Sequence, residues 1–470
     1  MAQSFPTAEQ LTRMKELKRW RQLYDGDHYL VFGIKDYFVD DQTKEKKLYI
    51  TANLCALITD YFADMEVGEG LQYSIDDDAM QEKLDTIVET NSLDELLFDI
   101  AQDQSRYGQG VLRVRRDEDA EGNVVATFED VDPSEYFPEY DSRDRRKKNP
   151  TRVTLASWIA DPTGKNKNGL IYKTIYERTG TSVTLRYEVV LAKSDRTEGA
   201  SVKGMPEYVV FYPEVAEAPM AIDEIKRIPV WEVNNVKDSQ RKSGKSDYKD
   251  IEGLIDEINN RLTHVSVQLI KNLNAKLAIP AGSNGDEEGE ESVNRVSEID
   301  IIEVEEGGIT PTYISNANAM LDSAFKYTDK LLLIALGIAK VPPEILNVEG
   351  SVGGANLKVE AMRIRLFPSM RKTNRKQTSL RYAVEGALNY ALALEGNTTD
   401  KKVNVDFSDV VPTDMTSLVN QMVARKSADL VSTQTAIQEM DGVSEQEAQA
   451  EIDRIKAEQP VVEPFNNLKV

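Results

Sequence analysis

Apolar residues recur at three- and four-residue intervals in several long stretches of the chain, a pattern typical of amphipathic helices. In residues 9–24 the apolar positions are Leu11, Met14, Leu17, Trp20 and Leu23. The same spacing predicts further helices over 50–66, 79–108, 248–277, 317–336, 357–394 and, in pieces, 413–457. Gly337 is expected to end the fifth of these helices, because glycine is a poor helix former.

Alternating or continuously apolar short runs predict strands between the early helices. Residues 111–115 and 124–128 flank the turn 121–123 and are expected to form a hairpin. Further strands are expected over 170–177, 182–191, 207–212, 228–233, 299–304 and 402–407. The predicted fold class is therefore α+β and mainly helical, with helices first and a meandering sheet second.

Two features interrupt the last long helical region. Residues 347–356 contain three glycines and precede that helix as a flexible loop. Pro368 lies inside the helix, where it removes a backbone donor and clashes with the preceding turn. We therefore expect the helix to kink at Pro368.

The charge of the chain is strongly acidic but unevenly distributed. There are 57 Lys and Arg against 80 Asp and Glu, which gives a net charge of −23. This charge argues against a protein that binds nucleic acid over its whole surface. Residues 281–310 hold ten acidic residues and one basic residue, whereas 358–381 hold eight basic residues and one acidic residue. The basic helix either faces a polyanion such as DNA or pairs with acidic surfaces of its own chain or of neighbouring subunits.

The sequence offers little catalytic or metal-binding chemistry. One cysteine, Cys55, excludes an internal disulfide, and the two histidines, His28 and His264, exclude a multi-histidine metal site. The glycine loop at 350–358 and the segment 243–246 both lack the complete spacing of a phosphate loop. The acidic run lacks the spacing of a calcium loop, and no apolar run approaches the roughly 18 residues of a membrane span. We therefore expect no enzyme, no cofactor, no metal and no membrane partner.

An ordered set of short segments resembles the portal proteins of tailed bacteriophages, the head-to-tail connectors, of siphovirus type. The resemblance covers nearly the whole chain and begins with Tyr24–His28, which follows the Y-x-G-x-H pattern of that family. The collinear segments that follow are 52–58, 67–70, 108–112, 130–138, 228–235, 244–248, 336–338 and 342–344.

The resemblance implies a ring, usually of twelve subunits, around a DNA tunnel. It implies a portal fold with an α/β wing, a two-helix stem, a small β-containing clip, a kinked tunnel helix and a helical crown. The corresponding residues are 1–245 for the wing, 246–280 and 313–345 for the stem helices, 281–312 for the clip, 346–357 for the tunnel loop, 358–412 for the kinked tunnel helix and its return to the wing, and 413–470 for the crown and C-terminal tail.

The resemblance also implies site residues. The tunnel loop would present Val348, Gly350, Ser351, Val352, Gly353, Gly354 and Asn356. The DNA-facing basic residues would be Lys358, Arg363, Arg365, Arg371 and Lys372, with the kink at Pro368. The clip residues that dock the terminase and the adaptor would be Asp286, Glu287, Glu288, Glu298, Asp300 and Glu303.

The partners implied are other copies of the chain, double-stranded DNA passing through the channel, the large terminase, the major capsid and scaffold proteins, and a head-completion or tail adaptor. The implied location is the portal vertex of the virion, and the host cytoplasm during assembly. The alternatives are an acidic cytosolic scaffold or assembly protein without DNA contact and, less favoured, a nucleotide-dependent enzyme.

Overall fold

The computed structural model describes residues 5–33, 49–144, 149–222, 226–237, 243–273, 277–280, 301–304, 317–346, 359–397, 401–408, 415–441 and 445–458. The chain divides into two compact units. The first comprises Met1–Gly354 and Leu366–Ser408, and the second comprises Ala355–Arg365 and Asp409–Val470.

Helices predominate among the described residues. In chain order they are α1 Ala8–Tyr24, α2 His28–Val31, α3 Leu54–Val67, α4 Asp78–Thr90, α5 Leu93–Tyr107, α6 Pro206–Val209, α7 Glu252–Leu273, α8 Ala317–Ala339, α9 Val359–Leu394, α10 Met415–Ser427, α11 Thr433–Asp441 and α12 Glu445–Glu458. Short 3-10 turns cover Pro213–Ala216 and Pro343–Leu346. The mixed, mainly helical fold class is confirmed.

In the part of the chain that the structure describes, the strands form four sheets. They are β1 Leu71–Ser74, β2 Gln109–Glu118, β3 Val124–Asp130, β4 Tyr136–Glu139, β5 Arg152–Ile159, β6 Leu170–Thr179, β7 Ser182–Ala192, β8 Glu198–Ser201, β9 Met220–Ile222, β10 Val230–Asn234, β11 Leu277–Pro280, β12 Ile301–Val304 and β13 Asn404–Phe407. The largest sheet has the order β4-β5-β6-β7-β8, with β9 also paired to β7. The others are β10-β2-β3, β1 with β13, and a parallel pair of β11 and β12.

Helix α1 illustrates how local sequence sets an element. Thr7 caps the helix by accepting a hydrogen bond from the Gln10 backbone at 3.3 Å, and the Gln10 side chain accepts one from the Thr7 backbone at 2.8 Å. This reciprocal arrangement satisfies two donors that the first turn would otherwise leave unpaired. The predicted apolar stripe is confirmed, because Met14, Leu17, Trp20 and Leu23 are buried.

The single helix predicted over 79–108 is wrong, because the structure has two helices there. The chain turns at Ser92, whose φ of 46° lies in the left-handed region. Asn91 holds this turn against the neighbouring strand β3, donating to the Ala126 carbonyl at 3.1 Å and accepting from the Phe128 backbone at 2.9 Å. Contacts distant in sequence therefore interrupt a segment whose local pattern is helical.

The predicted 111–115 and 124–128 hairpin is confirmed as β2 paired with β3. The strand predicted over 207–212 is wrong, because Pro206 begins the short helix α6. Proline at the first helical position favours that start. Within this segment Tyr208 is buried, whereas Val210 and Phe211 are exposed. The strand β5 carries no clear alternation and was not predicted.

Two helix ends differ from their predictions. Gly337 does not end α8, which continues to Ala339, and no neighbouring atom crowds the position of its missing Cβ. The helix predicted to reach residue 277 ends as α7 at Leu273, and Leu277 begins β11.

Strand β11 pairs with Ile301–Val304, which confirms part of the strand predicted over 299–304. The strand predicted over 402–407 appears as β13, paired with β1.

Helices α7 and α8 run antiparallel within the first unit. The end of α8 at Ala339 and the entry to α7 at Asp247 both approach Lys372, at 3.1 and 3.0 Å. Further along the pair, the Arg261 guanidinium lies over the Tyr327 ring at 5.4 Å. This agrees with the expectation that two helices bracketing a short insert fold back on each other.

The two largest apolar cores among the described residues belong to the first unit. One packs α5 and the sheet β10-β2-β3 against the C-terminal half of α9, including Leu380, Val384 and Leu388. The other joins α1, α3, α7 and α8. Gly386 allows α9 to approach the indole of Trp231, because an added Cβ would lie 2.5 Å from its Nε1. The long helix therefore contributes directly to the larger core.

Candidate functional site around the long helix

The basic residues of α9 separate into an outward and an inward group. Arg371, Arg375 and Arg381 are exposed, and Arg365 is half-buried. Lys372 and Lys376 are buried. Because residues four apart share one face of a helix, the two lysines point the same way and would repel each other without nearby acids.

Lys376 pairs with Glu66 of α3 in the interior. The Nζ atom lies 3.2 Å from Oε2 of Glu66, and both side chains are 0 % exposed. Burial raises the pKa of Glu66 to about 7, against the opposing effect of Lys376. Removing either partner of such a buried ion pair strongly destabilises the fold, because the other charge is then left uncompensated.

Lys372 pairs with Asp247 at the entry to α7. Its Nζ lies 3.0 Å from Oδ1 of Asp247 and also donates to the Ala339 carbonyl at 3.1 Å. The ammonium lies 3.7 Å from the centre of the Phe62 ring, a cation–π contact. Burial lowers the pKa of Lys372 to about 8, with Asp247 opposing. The structure therefore places Lys372 in the interior of its subunit, with its charge paired.

Asp247 is held by three further contacts. Its carboxylate accepts from Ser105 Oγ and Asn235 Nδ2, each at 2.7 Å, and its backbone N–H donates to the Ser105 carbonyl at 3.1 Å. Burial alone would raise the pKa of Asp247, but the two lysines and these hydrogen bonds hold it below the ordinary value. The carboxylate is therefore an ionised counter-charge fixed in position.

The chain can place Asp247 there because two glycines cross closely. Gly108 has a φ of +85°, and a Cβ on it would lie 2.7 Å from the Gly244 oxygen. A Cβ on Gly244 would lie 2.1 Å from the Gly108 oxygen. The segment 243–246, which carries a Gly-Lys-Ser core, thus has a structural role in bringing β2 and the α7 entry together.

Other side chains of α9 attach the same stretch of helix to its surroundings. Ser369 Oγ donates to the Lys340 carbonyl at 2.5 Å, and Gln377 Nε2 donates to the Glu66 carbonyl at 3.2 Å. We call Ser369, Lys372, Lys376 and Gln377 the anchoring residues. They connect α9 to the ends of α3 and α8 and to the entry of α7 over little more than two turns.

Pro368 lies inside the continuous helix α9, one residue before the first anchoring residue. The kink expected at this proline stays a prediction. Arg371 lies on the exposed side of the same region, with its guanidinium 4.9 Å from the centre of the Phe367 ring.

The remaining residues proposed from sequence fall mostly outside the described part of the chain. This applies to Lys358, to the tunnel-loop residues Val348, Gly350, Ser351, Val352, Gly353, Gly354 and Asn356, and to the acidic residues Asp286, Glu287, Glu288, Glu298 and Asp300. Arg363 lies in α9 and Glu303 in β12, and the positions of their side chains are not described. Their assigned roles stay predictions.

The Tyr24–His28 segment connects α1 to α7 through His28. The His28 Nε2–H donates to the Leu23 carbonyl at 2.9 Å, and Nδ1 accepts from Asn259 Nδ2 at 2.7 Å. Asn259 is oriented by its Oδ1, which accepts the Ala52 backbone N–H at 2.9 Å. These partners require a neutral imidazole, and burial lowers the pKa of His28 accordingly.

Sequence reasoning missed Glu66, Asp247 and Asn259 as partners of these groups. Asp247 lies in a segment noted for its resemblance to a family, which is a weak signal. Asn259 lies among polar residues of α7, and Glu66 is an acid near the end of the mainly apolar helix α3; neither position indicates its partner.

The described residues hold no cluster of three or more side chains suited to a metal ion. No helix in the described part of the chain combines the length and the apolar character that crossing a bilayer requires. Cys55 is buried, and burial raises the pKa of its thiol well above the ordinary value.

Comparison with known families identifies the class of protein. The family described as "Phage portal protein, SPP1 Gp6-like" matches residues 4–461. The chain therefore belongs to the SPP1 Gp6-like family of phage portal proteins, and portal function follows from that membership. No curated protein sequence matches the chain significantly.

Solved structures of gene transfer agent (GTA) particles resemble the fold at low sequence identity. The neck of a native particle computed with C12 symmetry matches at 13% identity and a TM-score of 0.42, covering 82% of this chain and 89% of that chain. The virion of a native particle and the neck of an empty particle computed with C6 symmetry each match at 12% identity and a TM-score of 0.45, covering 83% of this chain and 90% of the matched chain.

Proposed function

We propose that this chain forms a ring at one vertex of a phage capsid and that DNA is packaged and ejected through the ring. The family match over nearly the whole chain is the observation that carries the proposal. No bond is made or broken in this function. The ring acts as a conduit and as a docking platform within the virion, assembled in the host cytoplasm.

Within this ring the antiparallel pair α7 and α8 is proposed as the stem, with the segment 281–312 between them as the clip. Residues 1–245 are assigned to the wing, 346–357 to the tunnel loop and 413–470 to the crown. The acidic clip residues are proposed to dock the large terminase and later the head-completion or tail adaptor. Lys372 supports one part of this assignment, because it attaches α9 to the entry of one proposed stem helix and to the end of the other.

The DNA contacts are proposed to come from four basic residues between positions 358 and 371. Lys358, Arg363, Arg365 and Arg371 would make weak contacts to phosphates without reading sequence. Lys372 is omitted from this set, because its charge is already paired with Asp247. The acidic remainder of the tunnel would repel phosphate, so that DNA passes without adhering.

Negative-stain electron microscopy of the purified chain tests ring formation. We expect rings with a central hole, and twelve subunits by mass measurement of the assembled particle. A monomer at every protein concentration and salt concentration, together with failure to assemble on capsids, would refute the ring. An acidic scaffold without DNA contact would give particles that lack a central hole.

A packaging assay tests the DNA contacts separately. We expect Lys358→Glu and Arg371→Glu to lower the yield of packaged DNA by about tenfold while rings still form, because reversed charge repels phosphate. The exposed Lys203, on the sheet-bearing part of the chain, supplies the control Lys203→Glu with the same change of charge. Normal packaging by Lys358→Glu would remove that residue from the proposed contact set.

A further inference from the structure

A cleft beside the middle of α9 contains basic side chains that the buried ion pairs do not use. It has a volume of about 610 Å³ and lies between β10, the end of β4 and one face of α9. This volume falls in the range of pockets that hold a small molecule or a few side chains of a partner.

Three cationic side chains line the cleft, namely Arg227, Lys237 and Arg375. Among the described residues, none of the three forms an ion pair with a carboxylate within 4 Å. Lys237 and Arg375 are exposed. In a chain of net charge −23, the cleft is therefore a local exception to the acidic surface.

Arg227 is held in place by aromatic rings and not by an acid. Its guanidinium lies 5.3 Å from the ring centres of Trp231 and of Tyr382, and it donates to the Tyr382 hydroxyl at 3.0 Å. Stacking of this kind orients the planar guanidinium while leaving other N–H groups to bind a carboxylate. The Arg227 Nε–H is buried and has no hydrogen-bond partner among the described residues.

One carboxylate, Glu232, also lines the cleft and determines which anion suits it. Glu232 accepts a hydrogen bond from the Tyr140 hydroxyl at 2.9 Å. Burial raises the pKa of Glu232, with Lys237 opposing that shift. Its carboxylate can accept a hydrogen bond from a peptide N–H, a donor that a phosphate group lacks.

We propose that this cleft docks an acidic peptide segment of a partner protein. Carboxylates of the segment pair with Arg227, Lys237 and Arg375, and Glu232 accepts an N–H of its backbone. Arginine and tyrosine are the residue types enriched at the centres of protein interfaces, and both line this cleft. The proposal does not depend on ring formation, because all the residues belong to one subunit.

The test uses the full chain and a fluorescently labelled hexaglutamate peptide as the probe, with binding followed by anisotropy. We expect the peptide to bind and the affinity to fall as salt is raised, because the contacts are ionic. The double variant Lys237→Glu/Arg375→Glu should weaken binding by at least about tenfold. Both positions are exposed, so the fold should persist, and an unchanged unfolding midpoint checks this.

The matched control is Lys193→Glu/Lys203→Glu, which changes the net charge equally at two exposed positions outside the cleft. It should leave the affinity within about twofold. The proposal is overturned by absence of peptide binding, or by an equal loss in the control. Preferential binding of a thymidine hexanucleotide that the cleft variant abolishes would also overturn it and assign the cleft to nucleic acid. If the reversed charges prevent folding, Lys237→Gln/Arg375→Gln provides the same comparison.

Discussion

At the scale of single residues, the hydrogen-bond partners of His28 require its imidazole ring to be neutral. Its two ring nitrogens are engaged by the Leu23 carbonyl and the Asn259 amide, and protonation would set two donors against each other at Nδ1. The same contacts connect α2 to α7, so the charge state of one side chain affects how firmly a proposed stem helix is attached.

The stability of the protein should therefore depend on pH through His28. Burial lowers its pKa in the folded state, while an unfolded histidine titrates near pH 6.5. The unfolded chain then binds more protons below about pH 6.5, so the stabilisation by neutral His28 is lost as the pH falls through that value. We expect the difference in unfolding free energy between the wild type and His28→Gln to shrink as the pH falls from about 7.5 to 5.5, with a limiting slope of about 1.4 kcal/mol per pH unit below pH 6.5.

Denaturant titrations at several pH values provide this measurement. The second histidine supplies a matched control, since His264 is exposed on α7. The change over this pH range should be larger for His28→Gln than for His264→Gln, because the partners of His28 require a neutral imidazole. A change for His28→Gln no larger than that of the control would show that His28 does not carry the effect.

At the scale of elements, two buried ion pairs attach α9 to its neighbours. Each of these charges would be costly to bury without its partner. The pairs Lys372–Asp247 and Lys376–Glu66 lie four residues apart on one face of the helix. Together with Ser369 and Gln377 they hold the helix after Pro368 against three other helices. Four side chains thus fix this segment of α9 to the rest of the first unit.

Removing one member of the Lys376–Glu66 pair should destabilise the protein asymmetrically. Glu66→Gln leaves a buried ammonium uncompensated and should cost about 3–5 kcal/mol of unfolding free energy. Lys376→Met should cost less near neutral pH, because the pKa of Glu66 is already raised to about 7 and the carboxyl can take up a proton. The double variant Glu66→Gln/Lys376→Met should cost less than the sum of the two.

Denaturant unfolding of the four proteins gives the coupling energy directly. The surface pair of half-buried Lys249 and exposed Glu16, 2.8 Å apart, supplies the control. Lys249→Met should cost less than about 1 kcal/mol, as exposed ion pairs usually do. Additive effects of Glu66→Gln and Lys376→Met would show that the buried pair is not energetically coupled.

At the scale of the whole molecule, the net charge of −23 affects how copies of the chain associate with one another. Copies of an acidic chain repel one another, and salt screens that repulsion over about 10 Å at 0.1 M. If the proposed ring is held mainly by apolar contacts, the fraction of chain in rings should rise as salt is added. Mass photometry at several salt concentrations measures this fraction. A fraction that falls with salt would indicate that opposite charges across the interface hold the ring instead.

The sequence predicted those structural features that depend on residues close together in the chain. The apolar stripe of α1, the β2–β3 hairpin and the extent of α9 follow from spacing over a few residues, and the structure confirms them. The turn at Ser92 did not follow, because Asn91 is engaged by a strand that comes some 35 residues later. The order of short segments was the feature that pointed to the family.

The sequence by itself determined the periodic helices, the contrast between an acidic segment and a basic helix, and the family of the chain. Both readings of the basic helix, polyanion contact and pairing within the chain, were open at that stage. The tertiary structure alone decided that Lys372 and Lys376 are internal counter-charges, whereas Arg371, Arg375 and Arg381 face outward. The physical reason is that Glu66 and Asp247 come from distant parts of the chain, and the role of a charge depends on which charges folding brings beside it.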